Sequence, residues 1–476
     1  MDTGLTAGPY RISDKNSFAY VSARDRWPVI LTRAVDDVFK HVGDSEDSIY
    51  IEEGRKIITQ IAQLKFELQH DRLITPLEDD EGDDIKGYNE ELEKLGNPKW
   101  FDAPWLFAEC YLYRRLHTFF ANSKTWKTHD VFHVQKTVAF RSSRAAVLEL
   151  ASQYRQIISS LKNSNQPTGT EGAIEEREKE LFADMCEICL WGNATDLSLF
   201  TSLTHADIQQ LQGKNARDAA RGNILHRQVD EVYDLLKKQR DEGKAGRIDI
   251  VLDNSGFELF VDLILGGYLL AAGFATEIIF HPKSLPWFVS DVLPGDFTSL
   301  INALRDPVSY FDSPRDGYST DRRKQEAPLS GPQESDLKFL FSEWSELHAE
   351  GKFLLRPNRF WTTAASYWRL PSVAPQLFED LKQSELVIFK GDLNYRKLTA
   401  DTAWEPTTIF SKAIGELGKL GSGVRVLALR TCKADVVVGL SDGKDAELRR
   451  RDFEEGKRKW AWTGKWAVIQ FWDGKL

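Results

Sequence analysis

The spacing of apolar and polar positions changes character near residue 244. Before it, apolar residues recur at helical spacing. Residues 18–70 read as helices, with Ile57, Ile61, Leu64 and Leu68 on one stripe. Residues 105–120, 141–162, 173–191 and 205–240 continue that pattern, with a polar linker over 163–172. After it, short runs of β-formers appear: IDIVLD, ATEIIFHPK, ELVIFKGD, VRVLALRT, ADVVVGL and WAVIQFW. Helical patterns separate several of these runs, which predicts a mostly parallel sheet with crossover helices. The chain thus divides into a mainly helical domain, 1–240, and an α/β domain, 241–476. The acidic stretch 77–96 reads as a solvated connection. The Pro- and Ser-rich stretch 305–336 reads as a long excursion or lid-like loop.

The stretch Arg247–Gly273 reads as strand, polar turn and helix. The turn is Asp253-Asn254-Ser255-Gly256, and a long apolar helix starts at Phe257. Ligands of open α/β sheets bind where strands end and helices begin. Glu258 and Asp262 follow at i and i+4, on one face of the helix start. Oxygen donors of this kind suit a hard or intermediate divalent cation. The same turn is also ordinary capping chemistry, and taken alone the cap is the better reading. Asp262 shifts the balance, because it interrupts an apolar segment and a buried carboxylate needs a partner.

Three more strand ends carry polar clusters: His281 and Lys283 with Asp291 beyond them; Lys390-Gly391-Asp392-Leu393-Asn394-Tyr395-Arg396-Lys397; and Arg430-Thr431-Cys432-Lys433. Gathered at one sheet edge, they would form a crevice holding carboxylates and cations together. Arg396, Arg430 and Lys433 make a place for an anion beside a cation, which fits a phosphorylated small molecule. Lys397 reads as a solvated lysine and His281 as a loop histidine. Asn193, Thr195 and Asp196 end a helical pattern and could cap it or line a cleft, and from pattern alone the cap is the better reading.

Composition narrows the partners. The net charge is −10, which argues against nucleic acid and anionic membranes. The run 259–274 has the length of a short span, but Asp262 and Gly266-Gly267 interrupt it, so a buried helix is expected. The opening residues contain no apolar core of a secretory leader. Cys186 and Cys189 form a lone CxxC, and with Cys110 and Cys432 they read as reduced, buried thiols. A cytoplasmic protein, also nuclear, with no obligate protein partner is the expectation.

The segments VLDNSGFELFVDLILGGYLL, LVIFKGDLNYRKL and LRTCKADVVVGL resemble the metal-dependent damage-control phosphatase family. More narrowly, they resemble its eukaryotic subfamily marked by an RTxK motif, here Arg430-Thr431-Cys432-Lys433. The segments RWPVILTRAVDDVF and LWGNATDLSL add to the likeness, which runs from about residue 10 to 472. The resemblance implies an α/β fold, α+β overall, with a helical N-terminal domain packed on a three-layer sandwich. It implies a metal held by Asp253, Asn254 and Asp291, which would also be the catalytic residues. It implies substrate contacts from Glu258, from Asp392, Leu393, Asn394, Tyr395 and Arg396, and from Lys433. It further implies hydrolysis of sugar phosphates such as fructose 1-phosphate or fructose 6-phosphate with one ion of manganese, cobalt, nickel or magnesium. A related protein has been described as an S-adenosylmethionine-dependent methyltransferase acting on protein glutamate. That chemistry fits less well, because the turn after the first strand carries a single glycine. A non-catalytic binding protein on the same fold is the third reading.

Overall fold

The computed structural model describes residues 5, 7–163, 170–193, 221–312, 327–451 and 457–476. Thr195 and Asp196 lie outside the described residues, as do 205–220 of the helical stretch and 313–326 of the long excursion. The helices used below are α1 (Trp27–Gly43), α2 (Ser48–Gln69), α3 (Ile85–Lys94), α4 (Trp105–Ala121), α5 (Arg144–Asn163), α6 (Glu171–Gly192), α7 (Val229–Asp241), α8 (Phe257–Ala271), α9 (Pro294–Arg305), α10 (Gly331–Ala349) and α11 (Gly391–Leu398). The strands are β1 (Ile224–Arg227), β2 (Arg247–Val251), β3 (Glu277–His281), β4 (Phe353–Leu355), β5 (Leu386–Lys390), β6 (Arg425–Thr431) and β7 (Ala467–Asp473).

The sheet runs β1-β7-β6-β5-β2-β3-β4 and is parallel except between β6 and β7. The fold is α/β with helices around a mostly parallel sheet. Alternation along each strand feeds two cores. Ile248, Ile250, Leu386, Ile388, Leu427 and Leu429 face α5 to α10. Val251, Val387, Phe389, Val426 and Ala428 face the opposite layer, with Trp361, Tyr395 and Trp460. A third core lies in the N-terminal helices around Trp27, Trp100, Trp105 and Trp126, and it takes in Leu285, Trp287, Leu393 and Ala434 from the sheet's upper edge. The helical layer therefore rests on the edge where the strands end. After β2 the chain proceeds outward to β3 and β4, then crosses back to β5 on the other side of β2. The junction of β2 and β5 is the switch point at which a parallel sheet opens a crevice.

Three stretches differ from the sequence expectation. Ile224–Arg227, inside a span expected to be helical, is an edge strand paired with β7. ADVVVGL, expected to be a strand, is an extended loop. Its carbonyls are taken by side chains: Ala434 and Val436 by Arg430, and Val438 by Gln470 at 2.8 Å. The acidic stretch 77–96 is docked rather than solvated. Buried Arg114 of α4 binds Asp80 and Asp84, both at 2.7 Å, and Ile85, Tyr88 and Leu92 of α3 are buried. The helix begun at Phe257 is buried along Phe257–Leu269, and among the described residues no helix is long and apolar enough to cross a membrane. All four cysteines are free and buried.

The N-terminal helices are tied to the loop after β6 through Asp435. Ser17 Oγ and the Phe18 N–H donate to one of its oxygens and Trp462 Nε1 to the other, each at 2.8 Å. Burial raises this carboxyl from 3.8 to about 6, against the opposing hydrogen bonds. The folded chain then holds the proton more tightly than the unfolded chain. Stability from this group is present below the unfolded value and is lost as pH rises from about 4 through about 6. Urea denaturation midpoints followed over that range should flatten in Asp435→Asn; an unchanged slope would refute the assignment.

Candidate functional site

Four strand ends meet above the β2–β5 junction, and the helix endings there supply donors and acceptors. Asn193 stands at the C-cap of α6. Its Nδ2 donates to Asp253 Oδ2 at 2.6 Å and to Glu258 Oε2 at 2.8 Å, and its Oδ1 accepts from Thr431 Oγ1 at 2.6 Å. Its carbonyl accepts from Lys433 Nζ. One asparagine thus links the ends of β2 and β6 and the start of α8. Asn254 Nδ2 donates to the same two carboxylates, at 2.9 Å to Asp253 and 2.7 Å to Glu258.

Asp291 reaches this group through the backbone. It pairs with Asn254 in an isolated bridge, and the Val292 N–H donates to the Asp253 carbonyl at 2.9 Å. Ser290 Oγ donates to Asn254 Oδ1 at 2.5 Å. The two residues before Ser290 are left-handed, Phe288 at φ 44° and Val289 at φ 68°. A bulky and a β-branched residue in that region are strained, and the turn they make presents Ser290 and Asp291 to Asn254. Lys283 Nζ lies 3.3 Å from Asp291 Oδ2 and donates to the Leu252 carbonyl at 2.6 Å.

Close approach at one glycine sets the floor of the crevice. Gly391 has φ 82°, and a Cβ there would stand 1.9 Å from Asp253 Oδ2 and 2.8 Å from Asn193 Nδ2. Only glycine lets the start of α11 lie against that carboxylate. Asp253, Asn254 and Asp291 offer oxygen alone, the donor set that hard and intermediate divalent cations accept. The residues present therefore fit a metal.

Beneath this group lies a buried ion cluster. Lys390 Nζ donates to Glu258 Oε1 at 3.0 Å, Asp262 Oδ1 at 2.6 Å and the Cys189 carbonyl at 3.0 Å. Burial would push the Lys390 ammonium down, yet Asp262, Cys189 and Glu258 together hold it well above its usual range. Burial raises the Asp262 carboxyl. Asp262, which the sequence marks as a carboxylate in need of a partner, has that partner in Lys390.

The model for the "Damage-control phosphatase ARMT1-like domain" matches residues 22–448. Proteins named Damage-control phosphatase ARMT1 are similar along nearly the whole chain. The Homo sapiens protein is 33% identical over 480 residues and the Mus musculus protein 34% over 476, each covering 97% of this chain and 98% of the relative. The chain belongs to the ARMT1-like damage-control phosphatase family. A solved structure of a DUF89 family protein from Pyrococcus horikoshii aligns over 95% of this chain and 96% of its own, at 13% identity and a TM-score of 0.41.

Within this family member, the side chains of the GDLNYR segment take different partners in the fold. Asp392 faces the crevice. Its Oδ1 accepts from Arg430 Nε at 2.8 Å and from the Lys433 N–H at 3.0 Å. Leu393 packs in the helical core. Asn394 donates to the carbonyls of Lys390, Leu252 and Val251, and its Oδ1 accepts from Tyr367 at 2.6 Å. Tyr395 donates to Gln470 Oε1 at 2.8 Å under the Arg430 guanidinium. Arg396 is gripped by Glu109 at 2.7 Å and Asp401 at 2.9 Å, with its guanidinium 3.5 Å over the Trp105 ring. The structure thus brings Asp253, Asn254, Glu258, Asp291, Asp392 and Lys433 together. Leu393, Asn394, Tyr395 and Arg396 are turned into the packing around them.

Four residues were read as plain structure or given no role. Asn193 is the cap that pattern predicts, and it is also the hub that links Asp253 and Glu258 to Thr431 and Lys433. Lys390 belongs to a strand-end polar cluster but was given no role of its own, because a lysine ending a strand is commonplace. Lys397 is not solvated: it is fully buried, donates to the Trp361 and Thr363 carbonyls at 3.1 and 2.6 Å, and burial pushes it down to about 8. His281 is buried and bound to Asp249 Oδ1 at 2.8 Å.

Proposed function

We propose that this chain is a metal-dependent phosphatase that hydrolyses small sugar phosphates, fructose 1-phosphate and fructose 6-phosphate among them, in metabolite damage control. The observation that carries the reading is Asn193, which joins the acidic side of the crevice, Asp253 and Glu258, to Thr431 and Lys433 of the basic side. A cation cage and an anion grip side by side suit a phosphate ester.

In this reading Asp253, Asn254 and Asp291 hold one divalent ion, of manganese, cobalt, nickel or magnesium. When bound, such an ion polarises a phosphoryl oxygen and makes a water more acidic. The remaining work belongs to the chain. Lys433 holds the phosphate and stabilises the charge that grows on it. Glu258 already accepts from Lys390, Asn193 and Asn254, so it acts as a positioning residue for Asn254. Asp392 is the carboxylate offered to sugar hydroxyls. Arg396, expected to grip phosphate, instead braces α11 against α4 through Glu109. Tyr113 of helix α4 stacks on Phe288, with ring centroids 4.7 Å apart, and braces the turn that presents Ser290 and Asp291.

The test is release of inorganic phosphate from fructose 1-phosphate with manganese or cobalt. A chelator should abolish release and added metal should restore it. Absence of release across the four metals, together with tight S-adenosylmethionine binding by calorimetry, would overturn the reading in favour of methyl transfer.

A further inference from the structure

Among the described residues, two further groups of metal-ligating side chains stand outside the crevice. In one, Asp130, His133 and Asp296, a cation is already resident: Lys136 Nζ bonds Asp130 at 2.9 Å and Asp296 at 2.8 Å. In the other, Asp37, His41 and His129, the partners are imidazoles. We propose that Asp37, His41 and His129 form a second metal site, in the helical layer, selective for borderline cations such as zinc or nickel.

The geometry is that of a three-ligand site with an open position. Asp37 and His41 lie four residues apart on α1, hence on one face of the helix. His129 comes from the loop after α4. One ligand atom from each residue lies within 4.8 Å of the others. His129 Nε2 is 2.7 Å and His41 Nδ1 is 3.6 Å from Asp37 Oδ2. Neighbouring ligands on a tetrahedral ion with bonds of about 2.0–2.1 Å stand roughly 3.3 Å apart. The pair at 3.6 Å already has that spacing, once His41 Nδ1 releases the Asp37 carbonyl 2.9 Å away, and the pair at 2.7 Å reaches it by a shift of about half an ångström. The carboxylate is held at 7% exposure while the rings are 38% and 17% exposed, so a cation can enter from solvent past the histidines.

An aromatic shell fixes the rings. Trp126 stands edge-on to both imidazoles, Phe120 stacks on His129, and Tyr50 stacks on Trp126. Two imidazoles and one carboxylate select zinc, nickel, cobalt or copper over magnesium and calcium. The crevice, with oxygen donors only, accepts magnesium and manganese as well. The bound ion would staple α1 to the loop 122–132, which α2 already holds through Glu53, bonded to the N–H groups of Lys124 and Thr125.

The experiment uses the full chain carrying Asp253→Ala, with magnesium in large excess, and titrates zinc and then nickel by calorimetry. One equivalent should bind. His41→Gln and His129→Gln, each added singly, should weaken that binding at least about tenfold. In the unaltered chain, zinc should protect His41 and His129 from carbethoxylation, read by peptide mass, so the result does not depend on a variant folding. No zinc binding under these conditions, full affinity in either histidine variant, or unprotected histidines would overturn the proposal.

Discussion

Replacing Asp253 by alanine is expected to lower manganese-dependent phosphate release from fructose 1-phosphate by more than roughly 100-fold. Loss of groups that merely orient metal ligands already costs about 10–100-fold, and a ligand should exceed that. The residue is 2% exposed, and its Oδ2 accepts from both Asn193 and Asn254. Truncation therefore also takes from each of two buried amides one of its two carboxylate acceptors, at up to about 1–3 kcal/mol each. The measurement must separate the two effects. Urea denaturation should show a chain that still folds, while calorimetry should show weakened manganese binding. A folded Asp253→Ala protein with the parent's rate would remove the crevice from the mechanism.

Lys390→Met is expected to give the largest loss of stability among single changes near the site. Methionine keeps the length of the side chain and deletes its charge. Lys390, Glu258 and Asp262 are all completely buried. Without the ammonium, two carboxylates remain within reach of each other in the core. Breaking a buried ion pair from one side costs about 3–5 kcal/mol. Neutralisation is their escape. Lys390 opposes the rise that burial gives the Asp262 carboxyl, so without the cation the folded variant takes up a proton there more readily than the unfolded chain, and its stability improves as pH falls. The check is the denaturation midpoint at neutral pH and again near pH 5. A midpoint at neutral pH equal to the parent's would show that the cluster is not held by charge.

The βα unit at Arg247–Ala271 shows how much of this site a reader of the residues can find. Its apolar run, its polar turn and the helix start at Phe257 are all local, and local patterns survive folding when tertiary contacts agree with them. Val436 shows the opposite. Three consecutive valines are β-formers, yet Arg430 takes the Val436 carbonyl and Gln470, from β7, takes that of Val438, and a partner as distant as Gln470 leaves no trace in the segment itself. Edge strand β1 was equally hidden, since only β7, more than two hundred residues away, makes it a strand.

Within the GDLNYR segment, local pattern cannot say which side chains face a ligand. Helix α11 is buried on every side, so both polar and apolar positions are enclosed. Asp392 meets the crevice, whereas Arg396 meets Glu109 because α4 lies over that turn. The sequence alone determined the α/β class, the strand–turn–helix at Asp253 and the presence of acidic and basic clusters at strand ends, since each depends on periodicity or on short spacings. Tertiary structure alone decided which cluster members share a crevice, the hub role of Asn193 and the burial of Lys390. Those depend on how the sheet's strand order and the overlying helices bring distant residues into hydrogen-bonding range.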